Sequence, residues 1–433
     1  MRPRRERAFD ALVLAALKLA VGAWVLHQGF NHVSDDDYAR TVIAEQLAHA
    51  PRLDPSGTSW LPFPFWVEGA IMMVAGRSLA VARGVAVALG AASVAAPYLA
   101  LRTVRVARGT ALLATATAMA LPWNAWLGVA TVPEGWIGAL VGAALVTMAE
   151  PRARAWAAVA LLAASLSRYE SWPACAAFAA LCLWRGAHGE RRETAWAAVA
   201  LAGPIAWMAW NAHAHGSALH FVARVTRFRH AVGAADIPLA DKLLGYPRAL
   251  LEQTPEVALL GAVGVAGLAS SRALRARWRW PAAAVLVVIA FLVWGDARDG
   301  APTHHPVRAL AAIWWVLVAM GVDALGAARA AARPTAVRHG AGVAAALATV
   351  VWCATLPSRW ADAPGRTDAE RRDAQIARGL DLRARGVQAV HVTPCAFEHF
   401  ALLAAWGRPE RATIDPPTHA PLTSDCPRLV VER

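Results

Sequence analysis

The stretch SLAVARGVAVALGAASVAAPYLAL, Ser78–Leu101, carries a single charge, Arg83, and decides the fold class. A helix rises 1.5 Å per residue, so roughly 20 such residues cross the ~30 Å of bilayer hydrocarbon. Comparable runs recur on both sides of it: Phe9–Leu26, Thr110–Leu127, Gly135–Ala149, Trp156–Leu166, Trp172–Trp184 and Thr194–Trp210, then Val257–Leu268, Pro281–Trp294, Val307–Leu325 and Gly340–Leu356. Together they predict an all-α polytopic membrane protein with about eleven transmembrane helices, some of the short middle runs fused or re-entrant. Composition agrees: 57% of the residues are hydrophobic and 17% charged, against about a quarter charged in soluble domains.

Charge sets the orientation. The net charge of +13 is spread over short arginine clusters between apolar runs, which excludes a nucleic-acid surface. With the N-terminus inside, every inner segment is basic: Arg2–Arg7, Arg102–Arg108, Arg152 and Arg154, Arg185–Arg192, Arg272–Arg279 and Arg329–Arg338. An odd number of spans puts the C-terminus outside. The basic start followed by an apolar run has no small-residue cleavage site before His27, so it reads as an uncleaved first span.

Outside lie a long first loop (28–76), short segments near 122–133 and 167–171, a basic loop (211–256), the segment 295–306 and the tail. In the first loop Asp36–Ala48 reads as a helix and Pro62–Met73 as a helix lying in the interface. Residues 1–357 form the expected membrane domain and 358–433 a small extramembrane α/β domain. In that domain a helix is expected at Ala369–Arg385, a strand at Gln388–Val392, a helix at Ala396–Trp406, and strands at Arg411–Ile414 and Leu429–Glu432. Of five cysteines, Cys175, Cys182 and Cys353 sit in apolar runs; Cys395 and Cys426, in the tail, are the pair that could bridge.

Chemistry is expected where acids meet the outer boundary. Ser34-Asp35-Asp36-Asp37-Tyr38-Ala39-Arg40 holds three carboxylates in a row, suited to proton abstraction or to a cation; the structural alternative is a helix cap by Ser34 or Asp35. Glu134 opens the fourth span, where a carboxylate in lipid is costly and faces a cavity. Arg168, Tyr169 and Glu170 lie at another outer boundary, and Arg168 breaks the charge rule there. Arg224 and Arg227 belong to the basic loop, whose guanidinium forks match phosphate oxygens; His304, His305 and Arg308 enter the tenth span. No P-loop, nucleophile elbow or His-Glu-x-x-His helix is present; the few charges inside spans are Lys18 and Arg83, the latter a substrate-binding candidate, and a proton-coupled transporter would instead need acids at the midplane.

Taken in order, Ser34–Arg40, Ser78–Gly84, Ser167–Trp172, Trp207–Asn211 with His215–Phe221, and His305–Leu310 resemble the GT-C class of membrane glycosyltransferases, to about Leu356. The resemblance implies a polyprenyl-phosphate sugar donor and a glycan, lipid or protein acceptor. It implies a catalytic acid in the first outer loop, which carries over to Asp36 or its neighbours Asp35 and Asp37, and a second acid at Glu134. The lipid-phosphate arginine corresponds to Arg308, with Arg168 as a second candidate. A divalent metal, if used, would sit at Asp36 and Glu134. The expected activity is inverting sugar transfer at the outer face of a bacterial inner membrane. The alternatives are a lipid-linked-substrate transporter or flippase without chemistry, and a non-catalytic scaffold.

Overall fold

The computed structural model describes residues 2–231, 237–300, 305–331, 358–360, 362–394, 396–415 and 428–432. Its helices are α1 (Arg2–His27), α2 (Asp36–His49), α3 (Phe63–Ala75), α4 (Leu79–Ser93), α5 (Ala95–Thr103), α6 (Arg108–Ala120), α7 (Pro122–Leu127) and α8 (Glu134–Thr147). They continue with α9 (Arg154–Ser165), α10 (Trp172–Ala187), α11 (Glu193–His215), α12 (His220–Ala231), α13 (Leu239–Gln253), α14 (Pro255–Ser270), α15 (Arg272–Ala297) and α16 (Ala311–Ala331).

Among the described residues four helical stretches are long and apolar enough to cross a membrane: Arg4–His27, Leu79–Thr103, Arg272–Ala297 and Pro306–Ala330. The expected count of eleven is therefore only partly matched. Pro122 ends α6 early, α9 has 12 residues, and the expected run Gly340–Leu356 lies outside the described residues. Large apolar side chains point outward on the bundle surface, among them Phe9, Leu12, Leu113, Leu286 and Trp294. That distribution suits a lipid solvent.

The core gathers around α16, whose Ile313, Trp314, Val316 and Val318 are buried. Small residues let its neighbours close in. A Cβ on Gly264 of α14 would meet Met320 at 2.6 Å, and one on Gly142 of α8 would meet Trp315 at 2.6 Å. The linker between α7 and α8 is buried throughout, which demands partners for its polar backbone. At the neighbouring α6–α7 break Lys18 supplies a donor, to Asn124 O at 2.7 Å and Met119 O at 3.3 Å. Asp37 accepts from Thr131 N at 2.9 Å.

The tail forms the elements expected of it: helices Ala369–Ala384 and His399–Trp406, and strands β1 (Ala389–Thr393), β2 (Ala412–Ile414) and β3 (Arg428–Glu432). The sheet order is β2-β1-β3, with β1 parallel to β2 and antiparallel to β3. Val390, Val392, Leu402 and Trp406 share one apolar cluster with Tyr38 and Val42 of α2. The tail is thereby packed directly onto the helix that carries the aspartate run. Cys175 and Cys182 are buried free thiols, while Cys353, Cys395 and Cys426 lie outside the described residues.

Candidate active site

The three aspartates turn to three different partners. Successive residues entering a helix are rotated by about 100°, so neighbours cannot share one target. Asp35 takes a bidentate pair from Arg372 of the tail, at 2.6 and 2.9 Å. Arg372 is itself buried and also touches Asp368 at 3.1 Å and Glu398 at 2.8 Å. Asp37 accepts from the amides of Val33 (3.0 Å), Ser34 (3.2 Å) and Thr131, and from the Thr131 hydroxyl at 3.2 Å. Burial pushes its carboxyl up, against His32 and those donors, and its role here is to pin the buried linker. Neither Ser34 nor Asp35 caps α2 with its side chain, contrary to the structural alternative read from the sequence.

Asp36 turns the other way, to Arg308. The Arg308 Nη2 lies 3.2 Å from Asp36 Oδ2, its Nη1 donates to Ser34 Oγ at 3.1 Å, and its Nε lies 3.3 Å from Glu134 Oε1. Arg168 Nη1 reaches the same Glu134 oxygen at 3.2 Å and pairs with Glu170 on its other side. One connected network therefore joins Asp36, Arg308, Glu134, Arg168 and Glu170. Burial acts to raise the Asp36 carboxyl, but Arg308, Arg40 and Arg168 outweigh it and hold it below the usual carboxylate range. It stays ionised at neutral pH. Asp36 also keeps 30% of its side chain accessible, against 3% for Glu134 and 4% for Arg308, so it is the acid of the network that an incoming group can reach.

The local sequence explains this convergence. Glu134 follows Pro133 in the first turn of α8, where the helix dipole favours a carboxylate. Arg308 sits in a 3-10 turn, Pro306–Leu310, set by His305 in the left-handed region (φ 48°), whose carbonyl accepts from Arg308 N at 3.0 Å. The His305 ring packs 5.4 Å from Trp123. Tyr169 stacks on Phe221 at 4.6 Å, donates to Ser59 O at 2.7 Å and accepts from Trp207 Nε1 at 2.9 Å, holding the first loop in place.

Other expected residues lie elsewhere. Arg83 donates to Asn31 O at 3.2 Å and lines a small recess with Asp37, Tyr38 and Thr131. Arg224 and Arg227 are on the exposed face of α12, outside the network. The basic loop is instead tied down by acids, with Arg229–Asp296 and Lys242–Asp299 each at 2.6 Å. His304 lies outside the described residues.

The sequence reading assigns no site role to Arg40 or Arg372, and it reads Ser34 as a helix cap where the structure has it accept from Arg308. Arg40 is buried, with its guanidinium 4.6 Å above the Trp60 ring and 5.4 Å from Phe65. Its position four residues after Asp36, one turn along the same helical face, was the available signal.

The metal expectation fits the donor set poorly. Among the described residues no group of three or more His, Cys, Asp or Glu is placed to hold a metal ion. Asp36 and Glu134 share Arg308 between them, with Arg168 on Glu134 as well, so a divalent cation there would stand against two guanidiniums.

No protein-family model and no curated protein matches the sequence. Among solved structures the chain is similar to the Archaeoglobus fulgidus oligosaccharyltransferase, solved in complex with Zn and sulfate, at 15% identity and a TM-score of 0.50. That likeness covers 84% of this chain and 55% of the archaeal one, so this chain spans about half the length of that protein. ArnT from Cupriavidus metallidurans, bound to undecaprenyl phosphate, gives 16% identity and a TM-score of 0.48 over 92% of this chain and 75% of its own. The fold of this chain is GT-C-like.

Proposed function

We propose that this chain is an integral membrane glycosyltransferase that moves a sugar, a hexose or a pentose, from a polyprenyl-phosphate donor to a glycan, lipid or protein acceptor, with inversion. The observation that supports it most is the network itself: an accessible, ionised Asp36 joined through Arg308 to a buried Glu134. In this reading Asp36 takes the proton of an acceptor hydroxyl as its oxygen forms the new bond to the anomeric carbon. The bond from that carbon to the phosphate oxygen breaks, and the departing polyprenyl phosphate carries the electron pair away. Cations fixed before the reaction stabilise the charge that develops on the leaving group. Arg308 and Arg168 fill that role, and Glu134 holds both in place. No step in this reading is routed through a metal.

The same reading puts the network at the outer face of a bacterial inner membrane, with the N-terminus cytoplasmic and the C-terminus outside. It divides the chain into a membrane domain, 1–357, and an extramembrane domain, 358–433. The basic clusters Arg102–Arg108 and Arg272–Arg279 support that orientation, because Arg277 donates to Arg105 O at 3.4 Å at the end of the bundle away from Asp36.

Membrane vesicles carrying a labelled polyprenyl-phosphate sugar test the proposal. The expected result is a new glycosidic bond formed by the wild type and lost when Asp35, Asp36 and Asp37 are all changed to Asn. Movement of the lipid across the bilayer without a new bond would contradict it in favour of a flippase.

A further inference from the structure

The buried arginines of the described residues differ in how they are neutralised. Arg308 has Asp36 and Glu134, Arg154 has Glu193, Arg229 has Asp296, and Arg372 has Asp35, Asp368 and Glu398, as the half-buried Arg168 has Glu134 and Glu170. Arg40 is 2% exposed, yet among the described residues no carboxylate lies within ion-pair distance, 4.0 Å, of it. Its Nε and Nη1 have no hydrogen-bond partner either. The rings of Trp60 and Phe65 offer their faces at 4.6 and 5.4 Å, which partly compensates a desolvated cation but satisfies none of its N–H groups. Glu68, whose field reaches Arg40, is pushed up by burial to about 8, so it is mostly uncharged at neutral pH and adds little counter-charge. Asp36 and Glu134 also act on Arg40, but their direct contacts are with Arg308 and Arg168.

A guanidinium taken out of water without a counter-ion is costly, and the cost is relieved when a ligand brings the missing charge. We propose that Arg40 is the anion-docking residue of this site: its free N–H groups receive the phosphoryl oxygens of the lipid-linked ligand, while Arg308 and Arg168 remain engaged by protein carboxylates. The planar fork of the guanidinium suits two oxygens of one phosphate. The inference rests on the reading of the site as one for a phosphate-bearing lipid, and it names the group that grips that phosphate first.

The experiment uses the full-length protein in nanodiscs and reads equilibrium binding of decaprenyl phosphate, decaprenol and inorganic phosphate. The variants are Arg40→Met, which keeps the stem on the rings, and Arg40→Lys. For Arg40→Met the expected result is decaprenyl-phosphate affinity reduced about 10- to 100-fold, the range for hydrogen bonds to a charged group, with decaprenol binding unchanged. Arg40→Lys should recover part of the loss. Competition by inorganic phosphate in the wild type assigns recognition to the phosphate alone; competition by decaprenyl phosphate only assigns it to phosphate and lipid together.

Melting of the ligand-free protein is the second readout. An unpaired charge predicts that Arg40→Met melts at the wild-type temperature or above it, whereas a structural arginine predicts a lower one. Decaprenyl-phosphate affinity within threefold of wild type, an equal loss for decaprenol, or a lower melting temperature in Arg40→Met would each overturn the proposal. Binding is independent of turnover, so a wild type that transfers no sugar but depends on Arg40 for the anion removes the enzymatic reading and leaves this one.

Discussion

The two ends of the helix bundle use arginine in opposite ways. At one end, Arg108 meets Asp10 at 2.6 Å and Glu6 at 3.5 Å, Arg154 meets Glu193 and Glu190, and Arg277 meets Asp323, so each of these cations has at least one acid in ion-pair reach. At the other end Arg40, Arg168 and Arg308 crowd around Asp36, Glu134 and Glu170, sharing acids so unequally that Arg308 and Arg168 hold them while Arg40 has none within 4.0 Å among the described residues. The first arrangement minimises the cost of burial. The second keeps interactions in reserve, which is worth its cost only where another charge is to be received.

Arg308→Ala should break the difference most sharply. It strands Asp36 and Glu134 together, so transfer should fall by more than about 100-fold and stability by about 3–5 kcal/mol. Turnover per folded molecule separates the two losses; turnover near wild type would remove Arg308 from the reaction. Arg154→Ala is the matched change at the other end. It should cost a similar ~3–5 kcal/mol while turnover per folded molecule stays within about threefold of wild type. A large loss of turnover would mean that both ends serve the chemistry.

Arg372→Ala sharpens the comparison from the tail. It releases Asp35 and leaves Glu398 buried beside it, so stability should drop by about 3 kcal/mol and turnover by roughly 10-fold as the aspartate run loosens. Unaltered melting would show that the tail does not hold the run. The smallest effect, taken per pH unit, belongs to Glu68. Its carboxyl is raised from 4.5 to about 8, so between those values the folded protein holds a proton that the unfolded chain has released. Stability should therefore fall as pH rises through that window, by at most about 1.4 kcal/mol per pH unit for one proton. Glu68→Gln should flatten that slope in melting curves recorded from pH 5 to 8; an unchanged slope would assign it to other groups.

Much of this was legible in the chain. The single-charge run Ser78–Leu101 announces its helix, and the alternation at Gln388–Val392 announces the central strand of the tail. Asp36, Glu134, Arg168 and Arg308 could be chosen one by one, because each sets a charge beside an apolar run, where charge is costly without a purpose. The choice among Asp35, Asp36 and Asp37 was not legible. Their directions follow from the turn into α2, but what each direction meets is tertiary: Arg372 lies 337 residues from Asp35 and Arg308 lies 272 from Asp36. The span count was blurred because alanine-rich runs such as Trp156–Leu166 are apolar without marking where a helix ends.

Asp36 is the accessible, ionised acid on which the proposed chemistry turns. Single-turnover transfer from a labelled polyprenyl-phosphate sugar, measured with wild type and with Asp36→Asn at matched folded concentration, tests it most directly. The predicted result is a rate reduced about 100- to 10,000-fold with donor binding retained. A rate for Asp36→Asn within threefold of wild type would contradict it.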